Sequence, residues 1–336
     1  MTLLVTVARV SMPRADPQMQ AVLDQLSALG AMSPETLSPA AARRQPAPAD
    51  AVRVLLKKRG QEAAPEPVGM VEDKMIAGAA GRILARIFTP NGAGPFPVIL
   101  YIHGGGWVIA KIDTYDASAR ALANAAKAVV ISIEYRKGPE HKFPAAHDDA
   151  FAAYQWTLAN AASLNGDPGR IAVAGESAGG NLAANVSLMA RDRKAPIPVC
   201  QVLVYPVANN DLNSPSMKEY ANAQPLNTAM LPWFLGHYLN NRAESGDPRI
   251  SLVRADLKGL PPTTLITAEI DPLRSEGEML AGKLREAGVT VDYRNYAGVT
   301  HEFFGMGAVL EQARQAVSQA AAGLQRGFNT NVQAAR

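Results

Sequence analysis

Residues 170–180 read Arg-Ile-Ala-Val-Ala-Gly-Glu-Ser-Ala-Gly-Gly, an apolar strand pattern that runs into a glycine-flanked serine and then into a helical pattern. Ser177 stands at the apex of this turn, with Gly175 two residues before it and Gly179 two residues after it. A turn this sharp brings the flanking backbones together, leaves little room for a Cβ atom and pushes the serine hydroxyl outward. A lone pattern of this kind is common, so the prediction of a nucleophile depends on the rest of the chain.

A glycine-rich loop is the second feature. Residues 103–107 read His-Gly-Gly-Gly-Trp and directly follow the apolar run 97–102. Consecutive glycines after a buried strand let backbone N–H groups face an anion without interference from side chains. We therefore predict an oxyanion hole in which Gly104 and Gly105 donate from one side and Ala178, the residue after the serine, donates from the other.

Two more polar residues come where predicted strands end. Asp271 ends the apolar run 263–270, and His301 lies just past the strand pattern 289–296. In an open α/β sheet, active sites are built at the ends of strands. The order serine, aspartate, histidine along the chain is the order found in α/β-hydrolases, so Ser177, Asp271 and His301 are predicted to form a catalytic triad.

Asp271 also has a structural interpretation. Asp followed by Pro is a good helix start, with the aspartate as cap and the proline at the first helical position. We favour an Asp271 carboxylate that points at His301 rather than at its own helix, and Glu269 is the alternative acid. His103 is expected to orient the glycine loop by a hydrogen bond to the backbone.

With these motifs in place, the chain resembles the hormone-sensitive-lipase-like family of α/β-hydrolases, the family IV bacterial esterases, over about residues 65–325. The matching motifs are HGGG at 103–106, G-D-S-A-G-G at 175–180, Y-R-x-x-P-E-H-x-F-P-A at 135–145, D-P-L-R at 271–274 and the histidine at 301. Three departures stand out: Glu176 replaces the usual Asp, Glu302 follows the histidine where Gly is frequent, and residues 137–138 are Lys-Gly where Leu-Ala is common.

The resemblance implies an α/β-hydrolase fold with a mostly parallel eight-stranded sheet, helices on both faces and a helical cap. It also implies a carboxylesterase that hydrolyses short-chain acyl esters through the triad and an acyl-enzyme, without a cofactor. An amidase or peptidase with the same triad is the alternative, and a non-catalytic small-molecule receptor is disfavoured because all three triad residues are present. Trp107, Glu176, Tyr205 and Trp233 are candidates for the substrate pocket. No histidines pair as a metal site requires.

Beyond about residue 68 strand patterns alternate with helical ones, which indicates a mostly parallel sheet. The predicted strands are 68–76, 83–88, 97–102, 129–134, 170–175, 199–205, 263–269 and 289–296, and the first two should form an antiparallel hairpin. We divide the chain into an α/β core of residues 61–206 and 251–336 and two helical segments, 1–60 and 207–250, that form a cap. Helices are predicted from Asp16 to Gly30, over 51–59 and over 231–239.

Composition narrows the classes of partner. A net charge of +3, from 33 basic and 30 acidic residues, makes a nucleic-acid partner improbable. The single cysteine, Cys200, sits in an apolar run and is interpreted as structural.

No apolar run is long enough to span a membrane, and residues 1–9 make a poor secretory signal, so we expect a cytoplasmic protein that acts on a small-molecule ester. The edge strand 289–296 and a C-terminal helix over about 308–324 favour a two-fold homodimer.

Overall fold

The apolar runs of the sequence form one eight-stranded sheet in the computed structural model, which describes residues 14–334. Residues 1–9, considered above as a secretory signal, lie outside the described residues. The strands are β1 (Met70–Gly78), β2 (Gly81–Thr89), β3 (Phe96–Ile102), β4 (Val129–Ile133), β5 (Gly166–Glu176), β6 (Gln201–Val204), β7 (Thr263–Ile270) and β8 (Val291–Thr300). Each overlaps one predicted strand.

The sheet has the spatial order β1-β2-β4-β3-β5-β6-β7-β8. β1 and β2 form the predicted antiparallel hairpin, β2 also pairs antiparallel with β4, and the remaining neighbours pair in parallel. The mostly parallel sheet predicted from the sequence is therefore confirmed. β8 continues to Thr300, beyond the predicted end at residue 296, so that His301 follows the strand directly.

Helices cover both faces of the sheet. They are α1 (Pro17–Ala28), α2 (Pro39–Ala42), α3 (Pro48–Lys58), α4 (Asp116–Ala126), α5 (Ala145–Asn160), α6 (Ala178–Asp192), α7 (Pro215–Glu219), α8 (Met230–Tyr238), α9 (Arg274–Glu286) and α10 (Glu311–Ala334). Alternate residues of β3 divide between the two layers: Leu100 belongs to the apolar cluster that includes α5, α6 and α9, whereas Ile99 belongs to the one that includes α4 and α10. Because both faces are buried, the central strands read as nearly continuous apolar runs.

The N-terminal helices and the insertion that carries α7 and α8 touch each other, and together we call them the cap. The indole Nε1 of Trp233 donates to the carbonyl of Leu37 at 3.2 Å, and the amide of Asn227 donates to Glu35 at 2.8 Å. These contacts agree with the helical cap expected for this fold. The division of the chain at residues 60, 206 and 250 stays a prediction.

The residues just before α1 and α3 explain where these two helices begin. Asp16 accepts a hydrogen bond from the N–H of Gln18 at 2.8 Å, and α1 begins at Pro17 as predicted. α3 begins at Pro48, three residues before the predicted start, because the proline suits the first helical position and Asp50 accepts the Ala47 N–H. The predicted start at residue 51 was therefore three residues late.

The C-terminal helix is longer than predicted, since α10 runs from Glu311 to Ala334. β8 lies at the edge of the sheet, where a second copy could pair with it, and the homodimer stays a prediction. Among residues 14–334, no helix combines the length and the apolar character needed to cross a bilayer.

The turn between β5 and α6 is packed backbone against backbone. A Cβ atom on Gly175 would collide with the carbonyl oxygen of Gly179, and one on Gly179 would collide with the carbonyl oxygen of Ile102 at the end of β3. Ser177 between them has φ 57° and ψ −121°, a strained conformation for a residue with a side chain. The glycines are therefore required by the close approach of α6 to the sheet.

We expect Gly179→Ala to destabilise the protein by about 1–3 kcal/mol or more, because a backbone carbonyl cannot rotate away from the added methyl group. Gly282→Ala is the matched control: it lies inside α9 with nothing within 4 Å of an added Cβ, and it should be neutral or stabilising by up to about 1 kcal/mol. Thermal denaturation of the two variants measures the difference. Equal melting temperatures would contradict this explanation of the turn.

Candidate active site

The predicted site residues meet at one edge of the sheet because each follows the carboxyl end of a parallel strand. Ser177 comes after β5, Asp271 after β7 and His301 after β8, and the glycine loop comes after β3. The registers align these ends, with Ile102 opposite Gly175 on neighbouring strands. Residues far apart along the chain are thus placed side by side by the strand order alone.

Ser177, His301 and Asp271 form a continuous hydrogen-bonded chain. The Ser177 Oγ lies 2.9 Å from Nε2 of His301, and Nδ1 of His301 lies 2.7 Å from Oδ2 of Asp271. Exposure is 6% for the serine, 3% for the histidine and 0% for the aspartate. With the Nδ1 proton held by the carboxylate, Nε2 is the nitrogen that faces the hydroxyl and can accept its proton.

The Asp271 carboxylate satisfies both interpretations of the sequence. Its Oδ1 accepts the N–H of Leu273 at 2.8 Å at the start of α9, while its Oδ2 binds His301. The expectation that the carboxylate must serve one partner or the other was wrong, because each oxygen has its own. The alternative acid, Glu269, accepts the N–H of Gly298 at 2.7 Å and makes no hydrogen bond to the imidazole.

Buried acids surround the imidazole. Burial by itself lowers the pKa of His301, but the charge and hydrogen bond of the Asp271 carboxylate, together with the charges of Glu302 and Glu176, outweigh it, and the pKa is raised above 6.5. Burial, together with the nearby Glu302 carboxylate, raises the pKa of Glu176 to about 7. Burial also raises the pKa of Glu302. The neighbouring carboxylates therefore stabilise the protonated form of the His301 imidazole.

The glycine loop presents free N–H groups to the same space. Gly105 and Gly106 have positive φ angles of 97° and 57°, and both line the cavity beside Ser177. Neither N–H has an acceptor among the described residues. Ala178 is the first residue of α6, so its N–H has no acceptor within the helix.

Gly104 occupies a different position in the loop. Its carbonyl accepts a hydrogen bond from the Tyr135 hydroxyl at 3.0 Å and lies 2.8 Å from Nδ1 of His103. It is absent from the residues that line the cavity beside Ser177, whereas Gly106, which the sequence analysis left out of the oxyanion hole, lines it. Cavity lining therefore favours Gly105 and Gly106 over the predicted pair Gly104 and Gly105.

Two cavities meet at Ser177. The larger, of about 230 Å³, is bounded by the N-terminal part of the cap and also by His301 and Glu302. The smaller, of about 40 Å³, is mostly apolar and is bounded by residues of the cap insertion. Ser177, Gly106, Leu226 and Phe234 line both.

The four pocket candidates fall in different places. Trp107 lines the smaller cavity. Glu176 and Tyr205 line neither cavity, because the Glu176 carboxylate is buried behind the serine, where it accepts hydrogen bonds from the Tyr205 and Tyr101 hydroxyls. The Tyr205 ring packs on the His301 ring at 4.4 Å between centroids. Trp233 lies within the cap, packed against Phe234, and also lines neither cavity.

Sequence reasoning missed two cavity residues that touch the site. The Tyr115 hydroxyl donates to Oε1 of Glu302 at 2.6 Å, and both residues line the larger cavity. For Glu302 a signal existed, namely its unusual place after the histidine. Tyr115 lies outside every motif, and its position follows from packing alone.

The other buried histidines have structural partners. His103 faces the carbonyl of Gly104 as predicted, and His147 lies 2.9 Å from the Tyr238 hydroxyl. Burial lowers the pKa of each to about 4, so both are neutral at pH 7. Within residues 14–334 we find no group of three or more His, Cys, Asp or Glu side chains arranged to hold a metal ion.

Comparison with known proteins gives consistent matches. A family model described as alpha/beta hydrolase fold matches residues 99–305. Carboxylesterase NlhH of Mycobacterium tuberculosis is 42% identical over 237 residues, which cover 69% of this chain and 74% of that protein. Ethyl acetate hydrolase of Pseudomonas putida is 36% identical over 230 residues, covering 68% of this chain and 72% of that protein.

Solved structures match over nearly the whole chain. The hyperthermophilic esterase from the archaeon Pyrobaculum calidifontis superposes with a TM-score of 0.85 at 39% identity, covering 93% of this chain and 98% of that one. The agreement extends beyond the core to most of the cap, because 93% coverage leaves out only a small part of the sequence.

We expect Asp271→Asn to lower the pKa of His301 below 6.5, because burial then acts on the imidazole without the main opposing charge. NMR titration of the labelled histidine ring measures the pKa directly. Glu269→Gln removes the neighbouring carboxylate that does not bind the ring and should shift it less. A larger shift in Glu269→Gln than in Asp271→Asn would contradict the assignment of the acid.

Proposed function

Because this chain belongs to the α/β-hydrolase family, in its hormone-sensitive-lipase-like branch, we propose that it is a serine carboxylesterase that cleaves short-chain acyl esters through an acyl-enzyme. The observation that carries the proposal is the chain of hydrogen bonds from Ser177 through His301 to Asp271, at 2.9 and 2.7 Å, beside the backbone N–H groups of the glycine loop. The names of the similar proteins, which include carboxylesterases and an ethyl acetate hydrolase, support the same chemistry.

The first step is attack of Ser177 on the ester carbonyl. His301 Nε2 takes the hydroxyl proton, and the Asp271 carboxylate holds the ring tautomer and stabilises the imidazolium that forms. The raised pKa of His301 fits this role, since the ring must hold a proton during the step. The carbon–oxygen bond to the alcohol then breaks as Nε2 returns its proton to the leaving oxygen.

The oxyanion forms beside backbone donors. In this mechanism the N–H groups of Gly105 and Ala178 stabilise it, with Gly106 as the third donor that cavity lining favours over Gly104. Losing one such donor costs about 10²-fold to 10³-fold in rate. Water then attacks the acyl-enzyme, with His301 again as base, and frees the acid.

We assign each half of the ester to one of the two cavities. The leaving oxygen must reach His301 Nε2 to be protonated, and His301 lines the larger cavity but not the smaller one. We therefore place the alcohol in the larger cavity and the acyl chain in the smaller one, between Trp107 and Leu212. Its size of about 40 Å³ favours short acyl groups.

Ser177→Ala should abolish ester hydrolysis, with kcat falling by about 10⁶-fold, because no nucleophile remains to form the acyl-enzyme. Ser187→Ala, the same substitution at a buried serine of α6 whose hydroxyl donates to the Gln201 side chain, is the control and should keep its activity. Hydrolysis of p-nitrophenyl butyrate and labelling by an organophosphonate are the measurements. Undiminished turnover by a folded Ser177→Ala protein would refute the proposal.

Across p-nitrophenyl esters from acetate to palmitate, we expect kcat/KM to peak at or below about eight acyl carbons, since the acyl cavity is small. Leu212→Ala, which enlarges that cavity, should move the optimum to longer chains. Met230→Ala, which enlarges only the alcohol side, should leave the acyl optimum in place. Rates that keep rising to palmitate would count against the short-chain assignment.

A further inference from the structure

A glutamate carboxylate faces the larger cavity next to the histidine. Glu302 has φ 72°, a left-handed conformation that favours glycine, and it points its side chain into the space that Ser177 also lines. Its Oε1 accepts the Tyr115 hydroxyl at 2.6 Å. Its Oε2 has no hydrogen-bond partner in the described part of the chain, and the side chain keeps 20% exposure, so this oxygen opens into the cavity.

The carboxylate lies close to the reacting atoms. Oε1 of Glu302 is 3.8 Å from Nε2 of His301, the same nitrogen that lies 2.9 Å from the Ser177 hydroxyl. The leaving alcohol must approach this nitrogen to receive its proton. The part of the ester nearest to Glu302 is therefore the alcohol, within a few bonds of the scissile oxygen.

Apart from the His301 imidazole, 3.8 Å away, the negative charge of Glu302 has no cationic partner in the described part of the chain. Arg43 lines the same cavity, but both of its terminal nitrogens bind the Glu140 carboxylate at 2.7 Å, and Nε and Nη2 also donate to the carbonyls of Val108 and Gly138. No lysine or arginine in the described part of the chain pairs with Glu302. A cationic group on the substrate would supply the missing partner.

We propose that Glu302 forms a cation subsite for the alcohol half of the substrate, so that esters of amino alcohols or quaternary ammonium alcohols are favoured over neutral esters of the same shape. The assignment rests on the proposed esterase function. The aromatic rings of Tyr115 and Phe234 line the same cavity and add faces on which an ammonium group is stabilised. A carboxylate at the same place on an alcohol would be repelled.

Choline acetate and 3,3-dimethylbutyl acetate form a matched pair of probes, because they have the same shape and differ in one positive charge. We expect Glu302→Gln to lower the ratio of their kcat/KM values by about fourfold or more, the effect of unit charges about 5 Å apart even at the dielectric constant of water. The glutamine keeps an oxygen that can accept the Tyr115 hydroxyl. The ratio therefore isolates the charge from the packing.

Glu286→Gln, the same change at an exposed position of α9, is the control and should leave the ratio at its wild-type value. An unchanged ratio in Glu302→Gln would overturn the cation subsite while leaving the esterase proposal intact. If the wild-type protein hydrolysed no ester, the esterase proposal would fail separately. Saturation-transfer NMR with choline and 3,3-dimethylbutanol then decides the subsite: weaker choline binding to Glu302→Gln supports it, and equal or undetectable binding to both proteins overturns it.

Discussion

The whole site depends on the contact between the first turn of α6 and the end of β3. Gly179 lies against the backbone carbonyls of Ile102 and His103 so closely that no side chain fits between them. This contact fixes the position of the Ala178 N–H relative to the glycine loop, because the loop begins where β3 ends. The strained φ of Ser177 is maintained by the same packing, since relaxing it would move α6 away from the sheet.

Three acidic side chains lie around the imidazole of His301. Asp271 binds Nδ1, Glu302 lies near Nε2, and Glu176 is buried behind Ser177 with Tyr101 and Tyr205 as its partners. The three carboxylates do not have equivalent roles. Asp271 is held by a backbone N–H as well as by the ring, whereas Glu176 is expected to be partly protonated near neutral pH because burial raises its pKa to about 7. The environment of each acid, more than its distance from the ring, sets its charge.

The sequence predicted the sheet well, because parallel strands buried on both faces read as apolar runs. It also indicated that Ser177, Asp271 and His301 lie together, because each follows directly after one of those runs. It predicted less well what depends on dihedral angles or on packing between distant segments. Which glycines of the loop face the cavity depends on the positive φ of Gly105 and Gly106. The Tyr115–Glu302 contact joins residues 187 apart, and no local pattern encodes it. The placement of Glu176 behind the serine is likewise a result of packing.

The arrangement of the cap has a consequence for folding during translation. Its two halves meet through the bond between Leu37 and Trp233, which are 196 positions apart. Translation makes these N-terminal helices early, so the apolar side chains of Met19, Val22 and Leu56 exist long before the core residues of the same apolar cluster, which extend to Phe328. The apolar surface of these helices therefore stays exposed until most of the core has been translated. The N-terminal half of the cap is thus translated before the core on which it packs, and the cap is complete only after the insertion that carries α7 and α8 has been made.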